Sequence, residues 1–464
     1  MFSLLGPAPA SQGPLHRRAF LRFGCGLASP LLLHSAVQSG SPIENEAGAR
    51  AKRCVILFLL GGPCQHSTWD PKPLASEEIR GPFGSTATSV PGIHIGELLP
   101  QLAARMHRLS LLRAVSTDDH AHSSSGYFML TGHPHQPMNF ENANPGAPNN
   151  WPTLGAVVQH LRRGEATLPP AVRLPQHIFN TDQSVWPGQD SGFLGTSADP
   201  WLFRCEPASR SFRVPEFQLP MEVSPNRMLE RRELLRRIDG HLSAIERGGS
   251  MDGFSEKQRQ AFRVLSGSQS RNALDLTAES PATRERYGHT QFGQSVLLAR
   301  RLLEADVSLV QVNWFRGPDE PANAPCWDSH ADEPGRLKRA LAPVLDQAAA
   351  ALLDDLQDRR MLDDTLVVIM GEFGRTPKFN ALGGRDHWGH VFSVALAGGG
   401  VRGGSVHGES DRQGGFPLAG LVRPQDLTAT VFHCLGFSPR TEIHDALGRP
   451  FPISPGRVVH EILT

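Results

Sequence analysis

The sequence has no imbalance of charge. Its 46 lysines and arginines equal its 46 aspartates and glutamates, so the formal net charge at pH 7 is zero. Proteins that bind nucleic acid or anionic membranes through their overall electrostatics carry a clear positive excess, so neither partner is expected. The sequence also shows no low-complexity tract and no repeat with a period of roughly 20–50 residues, which excludes solenoid and propeller architectures.

Cysteine pairs at metal-binding spacing are also missing. None of the six cysteines forms a C-x-x-C pair, so a structural zinc knuckle is not expected. If the leader described below is removed with Cys25, an odd number remains. Cys64 and Cys326 both lie near candidate site residues. A disulfide between them and two buried thiols are equally compatible with the sequence.

The N-terminal apolar stretch is too short, and too interrupted by glycine and proline, to span a membrane. No stable membrane insertion is therefore expected. The preceding motif RRAFL at 17–21 matches the R-R-x-F-L pattern of a twin-arginine export signal. We expect 1–40 to be this signal and 41–52 to be a linker. The twin-arginine machinery would then deliver an already folded protein to the periplasm or the exterior.

The rest of the chain alternates between apolar runs and helical patterns. Its 464 residues are ample for a large core. The apolar runs predict strands at 53–60, 108–115, 306–314, 364–370 and 390–400. Amphipathic helices are predicted at 289–305 and 335–362. This alternation predicts an α/β fold over 53–464, with a mostly parallel central sheet, helices on both faces and a helical insert at 196–290.

Acidic residues and histidines cluster beside these predicted strands. In a parallel sheet, ligands bind outside the carboxyl ends of the strands. The loops there contain His66 and Asp70; Asp118, Asp119, His120 and His122; Asp328 and His330; Glu372; and Asp386, His387 and His390. Five such loops on one edge favour a metal or acid/base site. Carboxylates and imidazoles together suit divalent ions, and two ions about 3.5–4 Å apart would clamp a phosphoryl-type transition state.

Other residues near these strand ends are candidates for catalytic roles at such a site. The serines at 123–125, or Thr117, would supply a nucleophile. Arg375 would hold an oxyanion in bidentate fashion. Each candidate also has a purely structural interpretation: Asp386 as a turn cap, His387 as a core histidine, and Glu372 paired only with Arg375.

Several long motifs resemble the DUF1501 family, secreted bacterial proteins placed in the alkaline phosphatase/sulfatase-like superfamily. They are VVIMGEFGRTPKFN, GGRDHWGHVFSVALAGGGVRGG, CWDSH and GGPCQHSTWDPKP, and the resemblance extends from about residue 53 to the C-terminus. It implies an alkaline phosphatase-like fold with a bimetal site at the strand ends. The expected cofactor is a divalent metal, namely zinc, manganese, iron or calcium, as one or two ions.

The resemblance also implies roles for individual residues. Ser123 is the chosen nucleophile, next to His122 as a catalytic residue, although Thr117, Ser124 and Ser125 remain open. Arg375 is the third catalytic candidate. The implied metal ligands are Asp70, Asp328, His330, Asp386 and His387. Glu372 is implied either as a further ligand or as a residue that contacts a ligand from behind.

Two departures from the superfamily pattern matter. Many relatives carry an acid where this chain has Ser67, which puts the strength of the metal site in doubt. The segment CEPASR at 205–210 has Ser209 where a formylglycine sulfatase needs arginine, so that class is disfavoured. Two functions follow: an exported metal-dependent hydrolase acting on small or polymeric phosphate or sulfate esters, or a non-catalytic exported binding or assembly protein that retains the fold.

Overall fold

The computed structural model describes residues 50–464, except 165, 210–211, 213–259, 262, 265–266 and 318–319. The predicted export signal lies outside the described residues, as do most of the linker and part of the predicted insert. Among the residues that are described, no helix is long and apolar enough to cross a membrane.

The strands are, in chain order, β1 (Arg53–Phe58), β2 (Ser85–Ala87), β3 (His94–Gly96), β4 (Leu109–Val115), β5 (Ala171–Leu174), β6 (Trp201–Leu202), β7 (Leu309–Asn313), β8 (Thr365–Met370), β9 (Gly374–Arg375), β10 (His387–Trp388), β11 (Phe392–Ala397), β12 (Ser405–His407), β13 (Glu409–Ser410), β14 (Pro417–Ala419), β15 (Glu442–His444) and β16 (Pro450–Pro452). The α-helices are α1 (Glu77–Arg80), α2 (Pro100–Ala103), α3 (His122–Thr131), α4 (Leu154–Leu161), α5 (Ser268–Leu274), α6 (Pro281–Tyr287), α7 (Gln291–Glu304), α8 (Glu333–Arg336), α9 (Ala342–Asp358) and α10 (Pro424–Cys434).

Eight of these strands form the central sheet of the described residues, in the order β12-β4-β11-β8-β1-β7-β5-β6. All neighbouring pairs are parallel except those that β11 makes with β4 and β8. The fold class is therefore the predicted one, α/β with a mostly parallel sheet. Strands β1, β8 and β11 are buried at nearly every position, so both faces of the sheet are covered.

The direction of β11 decides where its preceding loop lies. Phe392, the first residue of β11, pairs with Val115, the last residue of β4. Because β11 runs against its neighbours, its amino end shares an edge with their carboxyl ends. The loop at 386–390 therefore meets the loops that follow β1, β4, β7 and β8, although it precedes its strand rather than following it.

Helices pack on this sheet where local signals start and stop them. Thr290 caps α7 by accepting a hydrogen bond from the backbone N–H of Gly293, and α7 packs against β1 and β7. Helix α3 starts directly after the β4 loop and ends at Gly132, whose φ of 75° is the left-handed conformation that glycine accepts at helix ends. The predicted insert boundary at 196 includes β6, which belongs to the central sheet.

Candidate functional site

Three side chains from three separate segments of the chain meet at the shared edge of the sheet. His122 begins α3 after β4, Asp328 follows β7, and His387 precedes β11. One ligand atom from each lies within 4.8 Å of the others, which is the arrangement of a cluster able to hold one metal ion. We call these three residues the triad.

Asp328 connects the two histidines of the triad. Its Oδ2 lies 3.1 Å from Nε2 of His122, and its Oδ1 lies 3.0 Å from Nε2 of His387. Arg375 donates a hydrogen bond of 2.7 Å to Oδ1. Burial alone would raise the pKa of Asp328, but the positive charges of His122 and Arg375 outweigh it and hold that pKa well below its usual value. The carboxylate is therefore ionised and ready to bind a cation.

Glu372 supports His122 from behind. Its Oε1 lies 2.8 Å from Nδ1 of His122 and also accepts a 2.8 Å hydrogen bond from the backbone N–H of Gly61. Burial disfavours charge on His122, but Asp328 and Glu372 outweigh it and raise the pKa of His122 to about 10. Glu372 was predicted either as a metal ligand or as a residue that contacts a ligand from behind. Its Oε1 contacts Nδ1 of His122, which is the second of these arrangements.

The tautomer of His387 follows from its surroundings. Its Nδ1 lies 2.7 Å from the backbone carbonyl of His120, so Nδ1 carries the proton and donates it there. Burial and the positive charge of His122 lower the pKa of His387 to about 3. The ring is therefore neutral, and the lone pair of Nε2 faces Asp328.

His330 and Asp386 lie outside the triad, next to His387. His330 Nδ1 is 2.9 Å from Asp386 Oδ1, and its Nε2 is 2.9 Å from His387 Nε2. Asp386 and His387 are neighbours in extended backbone, so their side chains leave on opposite sides. His330 spans the gap between them. The structure thus brings Asp386 to His330 rather than to the triad.

The triad fits a metal ion by two observations. Nε2 of His122 is buried and lies 3.1 Å from Asp328 Oδ2, but not in the geometry of a hydrogen bond, and Oε2 of Glu372 also lacks a hydrogen-bond partner among the described residues. Buried polar atoms without partners are rare, and a cation would satisfy the lone pair of a deprotonated His122. Two imidazoles and one carboxylate suit zinc, manganese or iron better than calcium, which prefers six to eight oxygen ligands.

Asp70 is not brought to the triad. Its carboxylate accepts a hydrogen bond from Ser410 and lies 3.0 Å from Nζ of Lys72 and 3.6 Å from Nε of Arg113. These cations already neutralise it, so it is placed as an ion-paired group rather than as the first metal ligand. Ser67, where an acid was expected, is buried with its hydroxyl 3.9 Å from the sulfur of Cys64.

The hydroxyl of Ser123, the predicted nucleophile, is hydrogen-bonded to residues outside the triad. Its hydroxyl donates to the carbonyl of Phe140 and accepts from the N–H of Ala143, and the side chain is fully buried. The alternatives are equally occupied. Ser124 donates to Asp119, Ser125 to the Glu372 carbonyl, and Thr117 to the Asp119 carbonyl. The expectation of a serine nucleophile is not supported by these contacts.

Arg375 contacts the triad through Asp328 but does not line the pocket described below. Its guanidinium is fully buried and donates to the carbonyls of Gly61, Gly62, Trp327 and Arg385 as well as to Asp328. These bonds use the donors that an oxyanion would need. These contacts do not support the predicted role as an oxyanion holder; Arg375 holds Asp328 and the surrounding backbone in place.

A narrow pocket opens onto the triad. Its lining includes His122 and Asp328 of the triad but not His387; its enclosed part, about 20 Å³, is enough for one ion or water, and beyond that it opens to solvent, where Arg316 is exposed. Sequence reasoning missed Glu141 and Arg316, which line this pocket. Both lie in irregular loops, so no periodic pattern marked them. Glu141 also accepts a 2.8 Å hydrogen bond from the backbone N–H of His122, at the start of α3.

Cys326 lines the same pocket and carries a free thiol. Cys64 is free as well, so the structure has two buried thiols and not the disulfide. Burial and the nearby charge of Glu320 raise the pKa of Cys326 well above its ordinary value. The neutral thiol is a poor nucleophile in that state.

Comparisons with known proteins give one family match and several similar solved structures. A family model described as "Protein of unknown function (DUF1501)" matches residues 51–463. No curated protein matches the chain. Similar solved structures include the PsFucS1 sulfatase from Pseudoalteromonas sp., at 12% identity and a TM-score of 0.38, covering 84% of this chain and 68% of that one.

Two further solved structures are similar at the same level. One is a protein of the alkaline phosphatase superfamily from Vibrio parahaemolyticus, at 10% identity and a TM-score of 0.38, covering 91% of this chain and 72% of that one. The other is the phosphonate monoester hydrolase SpPMH from Silicibacter pomeroyi, at 14% identity and a TM-score of 0.37, covering 89% and 76%.

Proposed function

Because the chain belongs to DUF1501, a family of unknown function, we propose from its site that it is an exported metal-dependent hydrolase acting on phosphate or sulfate esters. The observation that carries the proposal is the triad, whose ligand atoms lie within 4.8 Å of one another. Three protein ligands beside an open pocket are typical of catalytic metal sites, whereas structural sites are closed by a fourth ligand.

The residues have distinct roles in this proposal. His122, Asp328 and His387 would hold the ion, and the chemistry supplied there would be polarisation of an ester oxygen and activation of water. Glu372 fixes the orientation of His122 through Nδ1, and the His120 carbonyl does the same for His387. Arg375 holds Asp328. Since the serine hydroxyls are occupied, we assign the attack to water rather than to Ser123.

The experiment is an ester screen on metal-supplemented protein. Nitrophenyl phosphate, bis-nitrophenyl phosphate and nitrophenyl sulfate are compared with zinc, manganese and iron. Asp328→Asn is expected to lose activity by at least about a hundredfold. Asp70→Asn is the matched control, because Asp70 is also a buried aspartate near an arginine. Equal activity in wild type and Asp328→Asn would refute the metal-dependent mechanism.

A non-catalytic binding protein is the second candidate, and one contact pattern favours it. A protonated His122 lies between two carboxylates, so the cluster is also electrically satisfied without an ion. The hydroxyls near the site are engaged as well. This candidate predicts that wild-type protein purified without chelator contains no stoichiometric metal and hydrolyses none of the three esters.

The export part of the proposal depends on the sequence at 17–21. Replacing Arg17 and Arg18 by lysine is expected to leave a tagged protein in the cytoplasm, because the twin-arginine pathway reads that pair. Cell fractionation measures the outcome. Normal export of the double variant would contradict the twin-arginine route without bearing on the metal site.

A further inference from the structure

The pocket over the triad contains one cation whose role is not explained by the fold. Arg316 lines the pocket together with His122 and Asp328, and its side chain is exposed. Within the described residues, Arg316 makes no hydrogen bond or ion pair. Exposed arginines are common, but this one lines a pocket together with two residues of the candidate metal site. Its five N–H donors remain available to a ligand.

The other charged groups around the pocket are already engaged. Asp328 accepts from Arg375 and contacts both triad histidines. Glu141 is tied to the start of α3 through the backbone N–H of His122. Arg375 is buried under the site with its donors used. Arg316 is therefore the pocket's available cation among the described residues.

Neighbouring polar groups support recognition of oxygens. Asn142 also lines the pocket, and its Oδ1 accepts a 3.0 Å hydrogen bond from Thr181 Oγ1. Because the amide oxygen of Asn142 is engaged, the N–H donors of Nδ2 are the part of this side chain that is available to a ligand. Asn142 has a φ of 52°, the left-handed region that asparagine tolerates. A guanidinium and an amide donor lining the same pocket suit an oxyanion.

We propose that Arg316 is the specificity-determining residue that binds the non-bridging oxygens of a tetrahedral phosphate or sulfate group placed over the triad. This inference deepens the proposed function and rests on it for the reaction. It assigns to Arg316 the anion recognition that the sequence assigned to Arg375. Substrates are accordingly esters that carry a negative charge at the reacting group, whereas neutral carboxylic esters are poor substrates.

The test measures anion binding, which does not depend on turnover. Inorganic phosphate and inorganic sulfate are titrated calorimetrically into metal-loaded wild type, Arg316→Gln, Arg316→Lys and Arg412→Gln. Arg412 is the matched control, because it is an exposed arginine that lines a different pocket. Thermal melts verify that the variants are folded.

We expect Arg316→Gln to weaken binding of the preferred anion by about tenfold or more, since a charge-assisted pair of hydrogen bonds is lost. Arg316→Lys keeps the charge without the planar fork and is expected to recover part of the affinity. Arg412→Gln is expected to match wild type. Equal affinity of Arg316→Gln and wild type, or no binding of either anion by wild type, overturns the proposal.

The two proposals fail in different ways. If Arg316 governs anion binding but no ester is hydrolysed, the hydrolase proposal falls and the anion site stands. If esters are hydrolysed and Arg316→Gln binds phosphate and sulfate as wild type does, the hydrolase stands and the role of Arg316 falls.

Discussion

Nδ1 of His122 lies 2.8 Å from Oε1 of Glu372, and the same oxygen accepts a hydrogen bond from the backbone N–H of Gly61. The carboxylate thereby fixes the imidazole ring, so that Nε2 faces Asp328. Carboxylates in this position orient metal-binding histidines and increase their basicity. The contact ties three segments of the chain to the orientation of one ligand.

Replacing Glu372 tests this relationship. Glu372→Gln keeps an oxygen able to accept from Nδ1 of His122, but it removes the negative charge. We expect the affinity for zinc to fall by roughly tenfold, and Glu372→Ala to lose about tenfold more. Competition with a fluorescent chelator measures both values. Unchanged affinity in Glu372→Ala would show that the carboxylate has only a structural role.

Gly61 is expected to be required for the geometry of the site. Its φ is 110°, and a Cβ there would lie 2.2 Å from the backbone nitrogen of Asp328. Gly61→Ala therefore forces the Asp328 loop to move, with an expected loss of at least about 2 kcal/mol of unfolding free energy and weaker metal binding. Urea unfolding measures the first effect.

Gly92→Ala is the control for Gly61→Ala. Gly92 also has a positive φ, 83°, but a Cβ there meets nothing within 4 Å. It isolates the cost of backbone conformation, about 1–2 kcal/mol. Equal destabilisation by the two substitutions would mean that the close approach to Asp328 does not matter.

Ser123→Ala separates the sequence-based nucleophile from the structural role of that serine. The hydroxyl makes buried hydrogen bonds to Phe140 and Ala143, so its loss is expected to cost about 1–3 kcal/mol of stability. Metal content and ester hydrolysis are expected to remain within a few-fold of wild type. A loss of hydrolysis with metal retained would restore Ser123 as the nucleophile.

Asp354, on α9, predicts a pH dependence of stability through ion pairs that do not include the triad. Burial opposes its charge, but hydrogen bonds from Arg105 and Arg108 outweigh it and lower the pKa of Asp354 to about 2. A folded pKa below the unfolded value means that the contribution is fully present above about pH 4 and is lost as the pH falls toward 2. Because the group is largely solvent-screened, we expect at most about 1 kcal/mol.

Urea unfolding at pH 7, 4 and 2.5 measures this effect as the difference between wild type and Asp354→Asn. The difference is expected to shrink at the lowest pH. Asp358→Asn, on the same helix but with a more exposed carboxylate, is expected to show a smaller difference throughout. A constant difference across the three pH values would contradict the assigned pKa shift.

The long strands of the sheet were predictable because each is a continuous apolar run buried on both faces. The runs at 53–60, 108–115, 306–314, 364–370 and 390–400 all contain observed strands. Three strands of the central sheet in the described residues were missed: β5, β6 and β12, which have four, two and three residues. Segments that short have no measurable periodicity, and their pairing is decided by the sheet around them.

The site was predictable as a set of loops but not as a set of side-chain directions. Asp328 and His387 were predicted from their position at strand ends. Ser123 follows His122 on a helix, where successive side chains are about 100° apart, so both cannot face the triad. Asp386 precedes His387 in extended backbone and points the other way. Sequence position alone also does not reveal that the Asp70 carboxylate forms an ion pair with Lys72 rather than joining the triad.

The central claim is that the triad holds a metal ion, and metal content tests it most directly. Mass spectrometry is applied to protein purified without chelator, as wild type, Asp328→Asn and the control Asp70→Asn. The account predicts near-stoichiometric zinc, manganese or iron in wild type and Asp70→Asn, and its loss in Asp328→Asn. Absence of metal in all three folded proteins would contradict the claim, and so would retention of metal by Asp328→Asn.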